Sequence, residues 1–161
     1  VTNNSGLETI ARVGQSFRLP AAFDALTWYG KGPWETYADR KDAALIGLYT
    51  SSVAEQHVPF AVPCECGGHE DTRFAALSDG THIVQIVGSD DFHFSALPYS
   101  IAEYRKATYE EELPEQTTGT WLILDVAHAG LGGDTGWTKN IHPEYRVCKG
   151  RYSYTFRFHF A

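Results

Sequence analysis

The C-terminal stretch constrains the fold most. From Arg151 onward, Tyr152, Tyr154, Phe156, Phe158 and Phe160 alternate with Ser153, Thr155, Arg157 and His159. Successive side chains of a strand point to opposite faces, so this period of two gathers five aromatics on one face and polar groups on the other. A half-buried antiparallel strand follows, with Lys149-Gly150 supplying the turn before it.

The rest of the chain has the same grain. Phe74 to Leu77 and His82 to Val87 flank Ser78-Asp79-Gly80, and Asp-Gly is a favoured tight-turn pair, so these residues read as a hairpin. Further strands are expected at Ala11 to Leu19, Phe23 to Tyr29, Leu45 to Tyr49, Phe92 to Ala96 and Trp121 to Ala127. One helix interrupts them. Ser100-Ile101-Ala102-Glu103 fits a capping box, and the helix is expected to run to about Tyr109 and stop before Pro114. Many short strands with frequent turns and one short helix indicate an all-β, antiparallel β-sandwich. No internal repeat, low-complexity tract or linker divides the 161 residues, so residues 1–161 read as one domain. A chain of that size buries roughly 70% of its unfolded surface, enough for a core without metals or disulfides.

Charge and cysteine content narrow the partners. A net charge of -7 disfavours nucleic acid, whose binding rests on a basic surface. No apolar run approaches the ~18 residues of a membrane span. The start, Val1-Thr2-Asn3-Asn4-Ser5-Gly6, has no initiator Met and no signal-peptide pattern, which reads as a processed product or an expressed piece of something longer. The compartment stays open between cytoplasm and periplasm. Three cysteines are an odd count without a framework, and Cys64 and Cys66 are too close for an unstrained mutual bridge, so free thiols are expected.

Three segments depart from strand and ordinary turn. In Trp28 to Arg40, two glycines and a proline break a strand where large aromatics cluster, which reads as a packed corner with Asp39 and Arg40 tying down backbone. In Val62 to Arg73, Cys64, Cys66 and His69 invite a zinc reading. Cys-x-Cys is tighter than structural-zinc spacing, however, and a fourth ligand would have to come from His57, Cys148 or a carboxylate. A structured loop with free thiols is the reading preferred. In His128 to Trp137, four glycines make a loop able to take positive φ and approach a ligand closely. It is no phosphate loop, since Trp137 follows instead of Gly-Lys-Ser/Thr. A tryptophan on such a loop suits the apolar face of a sugar ring, though Trp is also a common core anchor. Glycoside hydrolysis needs two carboxyl groups facing each other across the bond. Glu110 to Glu112 read as a surface run and Asp90-Asp91 as a turn, so no such pair is marked out.

The same segments carry a resemblance. Trp28-Tyr29-Gly30-Lys31-Gly32-Pro33-Trp34-Glu35-Thr36-Tyr37 with Asp39-Arg40 resembles the "W-x-G-x-G-P-x-E-x-Y-x-D-R" signature of the small-chain domain of family 2 β-galactosidases. Pro63 to Arg73 is similar to that family's "P-x-E-N-G … T/V-R" segment, and Phe94-Ser95-Ala96 with the helix after it to its "F-x-x-S … E-L" region. His128-x-Gly130-x-Gly132-Gly133-Asp134-x-x-Trp137, followed by His142-Pro143-Glu144-Tyr145, resembles "H-x-G-x-G-G-D-x-S-W … P-E-Y". The motifs run in the family's order from about Arg12 to the last strand. Cys66 stands where the family usually has Asn, and Gly136 where Ser is usual. Thr135 stands where Asp often does.

The resemblance implies a galactose-mutarotase-like supersandwich, of which this chain holds the latter half. It implies a retaining β-galactosidase as parent, with both catalytic glutamates on a (β/α)8 barrel outside this chain, so no catalytic residue is expected here and the chain alone should be inactive. Trp137 matches the tryptophan that stacks on sugar; His128 and Asp134 match loop positions beside it. No cofactor is expected in this chain, the family's Mg and Na being bound elsewhere. The implied partners are a β-galactoside, the catalytic barrel and, in a homo-oligomer, a further copy, since half a sandwich leaves apolar surface and sheet edges open. A stand-alone carbohydrate-binding module and a purely structural domain are the alternatives.

Overall fold

A computed structural model describes residue 2, residues 6–134 and residues 140–161. Its strands are β1 (Thr9–Ile10), β2 (Arg12–Leu19), β3 (Ala25–Gly32), β4 (Leu45–Ser52), β5 (Gly68–Ser78), β6 (Ile83–Leu97), β7 (Thr120–His128), β8 (Val147–Cys148) and β9 (Phe156–Phe160). Among the described residues one α-helix, α1 (Ile101–Lys106), lies between β6 and β7, and three single-turn 3-10 helices stand elsewhere in the chain. The main sheet has the order β2-β7-β6-β5-β3-β4, with β9 added to β6, and β1 pairs with β8 in a separate two-stranded ribbon. Every strand pairing is antiparallel. The architecture is the expected all-β sandwich with one short helix.

The sheet closes over one apolar face. Cross-strand partners on that face run Leu26 to Leu77, Leu77 to Val84, Ile86 to Phe158, and Phe94 to Leu124. All belong to one cluster with Trp28, Val53, Ala75, Phe92, Ala96 and Leu122 at its centre. The final alternation appears as burial as far as Phe158: Tyr152, Tyr154, Phe156 and Phe158 are half-buried and each intervening polar residue is exposed, but Phe160, expected on the same face, is 76% exposed. Hydrogen-bonded strand begins only at Phe156. Tyr152 and Tyr154 pack instead against a second cluster with Val13, Ala129 and Val147.

Several boundaries differ from the sequence reading, each for a local reason. Phe74 to Leu77 is the end of a strand that begins at Gly68, inside the stretch read as a loop. The segments expected at His82 to Val87 and Phe92 to Ala96 belong to one continuous strand, which begins at Ile83 and leaves His82 in the turn. Its middle, Gly88 to Asp91, bulges out between the Thr72–Phe92 and Phe74–Val87 pairs, so Asp90-Asp91 imitates a turn without reversing the chain. The capping box at Ser100 forms as expected, with the Ser100 side chain taking the Glu103 N–H and the Glu103 carboxylate taking the Ser100 N–H. The helix ends a turn early, because Ala107 is extended and the Thr108 N–H goes to the Glu112 carboxylate at 2.7 Å.

Among the described residues, one edge of the main sheet is open. Strand β4 ends the strand order, and its Leu45 is 75% exposed, with Leu48 and Ile46 also on the surface. Among the described residues, no helix is long and apolar enough to cross a membrane.

Candidate functional site

The polar face of the sheet, opposite the main core, holds an ionic network. Strand pairing sets His93 beside Asp125 and Arg12 beside His128. Asp125 and His128 are three apart, an odd spacing that would put them on opposite faces of a regular strand. A bulge corrects this. Val13 pairs with Ala127 and Gly14 with Asp125, which leaves Val126 as the extra residue and brings His128 round to Asp125's side. Gly14 is needed there because a Cβ would collide with the Asp125 carboxylate and the Leu124 carbonyl.

Arg12 sits at the centre. Its guanidinium reaches Glu65 Oε1 at 2.9 Å and the fully buried Asp125 Oδ2 at 3.2 Å. His93 Nδ1 lies 3.3 Å from the same Asp125 oxygen. His128 donates through Nδ1 to the Ala129 carbonyl at 2.7 Å, so Nε2 is the nitrogen turned towards Glu65 Oε1 at 3.7 Å. Burial works against the Glu65 charge, but the facing His128 and the Arg12 guanidinium outweigh it and hold the carboxyl down at about 2. Burial likewise pushes His93 down to about 4 despite Asp125 beside it. The His93 and His128 rings stack with centroids 4.3 Å apart, and Tyr37 packs on both. The neighbouring His128 lowers His93 further.

Beside the network is a small polar cleft of about 210 Å³ lined by Glu70, Asp71, Asp91, His93 and His128. Burial raises the Glu70 carboxyl to about 7, with Lys41 opposing it from 3.9 Å. Among the described residues, His93, Asp125 and His128 are the group whose ligand atoms lie together, within 4.8 Å of one another. A cation there would compete with the Arg12 guanidinium already on Asp125, which makes the set a poor metal cage.

Cys64, Cys66 and His69 do not converge. His69 lies in the apolar face against Trp28, its nitrogens on the Gln56 side-chain oxygen at 2.6 Å and the Lys31 carbonyl at 3.3 Å. Burial pushes it down to about 3. Cys64 is exposed, whereas Cys66 is buried beside Tyr104 and His57, and burial lifts its thiol to about 11. All three cysteines are free thiols, as expected. Glu110 is not merely surface charge: it accepts from His57 Nε2 at 2.6 Å.

The two remaining motifs meet at one rim. The first is a packed corner: Trp28 and Tyr37 are buried, with the Trp28 indole N–H donating to the Lys31 carbonyl, whereas Tyr29 and Trp34 face outward, Trp34 being 63% exposed. Asp39, at its end, accepts the backbone N–H groups of Leu131 and Gly132 in the glycine loop at 3.0 and 2.7 Å. The loop's two stems flank a cavity of about 640 Å³ with Glu65 and His128 in its wall and Leu7, Ile10 and Ile141 around it. His128 thus lies at the end of β7, in the ionic network. Asp134 is exposed and bonded to His142 Nε2 at 3.0 Å. Trp137 lies outside the described residues.

Sequence reasoning missed Arg12, His93 and Asp125. A signal was present: His93 between Phe92 and Phe94, and Asp125 after Leu122-Ile123-Leu124, are polar residues inside otherwise apolar strands, and such groups are buried only when paired.

The fold and the fastened loop place the chain among all-β sandwich domains with a glycine-rich rim. It belongs to the β-galactosidase small-chain family, whose model, beta galactosidase small chain, matches residues 1–158. Similar curated proteins include a β-galactosidase of Vibrio cholerae, 38% identical over 93% of this chain, and one of Priestia megaterium, 39% identical over 91%. The β-galactosidase BgaC of Bifidobacterium adolescentis is 36% identical over 89%. The chain spans 14% of the length of each.

Proposed function

We propose that this chain is the C-terminal sandwich part of an enzyme that hydrolyses terminal β-D-galactosides, and that it contributes a glycine loop to the sugar site. The observation that carries this reading is the match of nearly the whole chain to one seventh of proteins named β-galactosidase. The remaining length is where the reading puts the acid and the nucleophile. The chain's own carboxylates support that division. Glu65 and Asp125 share one guanidinium, and Asp125 is fully buried, whereas a retaining pair must face each other across an open bond about 5.5 Å apart.

Within this reading Trp137 stacks on the sugar, His128 and Asp134 shape the loop around it, and no metal is required from this chain. The partners are the barrel that carries the catalytic glutamates and, through the open β4 edge, a further domain or copy. Two measurements on the chain test the proposal. A nitrophenyl-β-galactoside should not be turned over; turnover lost on a single Glu→Gln change would refute the division of labour. Titration calorimetry with galactose and lactose at millimolar concentration should give no heat, since half of the site is elsewhere. A saturable heat would favour a stand-alone binding module, for which the exposed Trp34 supplies a second aromatic face.

A further inference from the structure

The glycine loop is shaped from outside itself. Asp39 divides its two oxygens between consecutive loop amides: Oδ1 accepts from Leu131 and Oδ2 from Gly132. The Arg40 guanidinium donates to the carbonyl of the same Gly132. One acidic and one basic side chain therefore read the donor and the acceptor of a single peptide region. Gly130 permits the approach, since a Cβ there would stand 2.5 Å from Asp39 Oδ2. Gly132 and Gly133, at φ +67 and +77, hold a left-handed turn that side chains resist.

The clamp is itself anchored. Tyr37 and Arg40 exchange backbone hydrogen bonds, and the Tyr37 ring is buried on His93 and His128. The Tyr37 hydroxyl accepts the Gly68 N–H at 3.3 Å. On the far side of the loop, the Gly130 N–H goes to the Tyr145 carbonyl at 2.9 Å. Leu131 and Gly132 are thus tied through Asp39 to the corner that Tyr37 anchors.

We infer that Asp39 is a positioning residue: its carboxylate sets the conformation of the loop stem and, through it, the sugar contact assigned above to Trp137, with Arg40 in a supporting role. This rests on the reading of the loop as part of the sugar site. Asp39→Asn keeps the size of the side chain but turns an amide N–H₂ towards one of the two loop N–H groups, so one bond is replaced by a donor–donor clash.

The test is a double-mutant cycle in the intact protein, read by hydrolysis of a nitrophenyl-β-galactoside. Asp39→Asn should lower kcat/KM by about tenfold, and Arg40→Gln by less in the same direction. On a Trp137→Ala background, Asp39→Asn should cost nothing further, because the contact it positions is gone. Independent, additive losses would overturn the inference while leaving the sugar-loop reading intact. Unchanged kinetics in Trp137→Ala would overturn the sugar-loop reading, and the inference with it. Amide hydrogen exchange gives a readout separate from activity: exchange at Leu131 and Gly132 should accelerate by about tenfold or more in Asp39→Asn, with the unfolding midpoint little moved. Unchanged exchange at both amides would show that the carboxylate does not hold the stem.

Discussion

Replacing Arg12 by Met should destabilise the fold by about 4 kcal/mol, close to the cost of breaking a buried ion pair. The figure follows from the two carboxylates that Arg12 holds. Glu65 titrates at about 2 against an ordinary 4.5. At about 1.4 kcal/mol per unit, that difference is worth about 3 kcal/mol, shared between His128 and Arg12. Removing Arg12 forfeits its share and also leaves the fully buried Asp125 facing only His93. For a chain of this size the unfolding midpoint should fall by about 10 °C. The pH dependence is the sharper check. A depressed carboxyl contributes stability that is complete above about 4.5 and is lost as the pH falls towards 2. The gap between wild type and Arg12→Met should therefore narrow as urea or thermal unfolding is repeated from pH 7 down to pH 3. A loss below about 1 kcal/mol at pH 7 would refute the reasoning, since breaking a buried pair costs several times that. A gap that does not change with pH would refute the assignment to Glu65.

Two further outcomes follow from the same face. Glu70 is shifted the other way, up to about 7, so the folded state holds its proton more tightly and stability is lost as the pH rises from 4.5 through 7. Glu70→Gln should therefore stabilise by about 2 kcal/mol at pH 8 and by little at pH 4, and equal effects at both would count against a buried carboxyl. Gly14→Ala should cost about 3 kcal/mol because its Cβ meets Asp125 and Leu124, whereas Gly80→Ala, in open space at φ +89, should cost about 1 kcal/mol. Chemical denaturation of both variants, with the order reversed, would show that the bulge at Val126 relaxes.

Strands whose apolar residues keep one parity were legible: β2, β4, β7 and the Phe156–Phe160 strand stand where alternation or apolar runs put them. The capping box was legible because its chemistry is local. Irregular positions were not. Gly88-Ser89-Asp90-Asp91 has the composition of a turn, and only the pairing of β5 with β6 makes it a bulge. The ionic network was hidden for the same reason: Asp125 and His128 share a face only because Val126 is extra, a fact about the partner strand. The clamp was half legible. Asp39 and Arg40 read as residues that tie down backbone, but nothing in their neighbourhood names the loop they hold.

That distance has a consequence for how the chain acquires its shape. Asp39 and Gly132 are 93 residues apart in sequence. Closing so long a segment costs entropy that only the assembled strands between them can offset. A nascent or partly folded chain can pair β3 with β4 early, but its glycine loop takes its bound form only after β5, β6 and β7 have joined the sheet. The loop is therefore among the last features to form, and its amides report whether the whole sheet has closed.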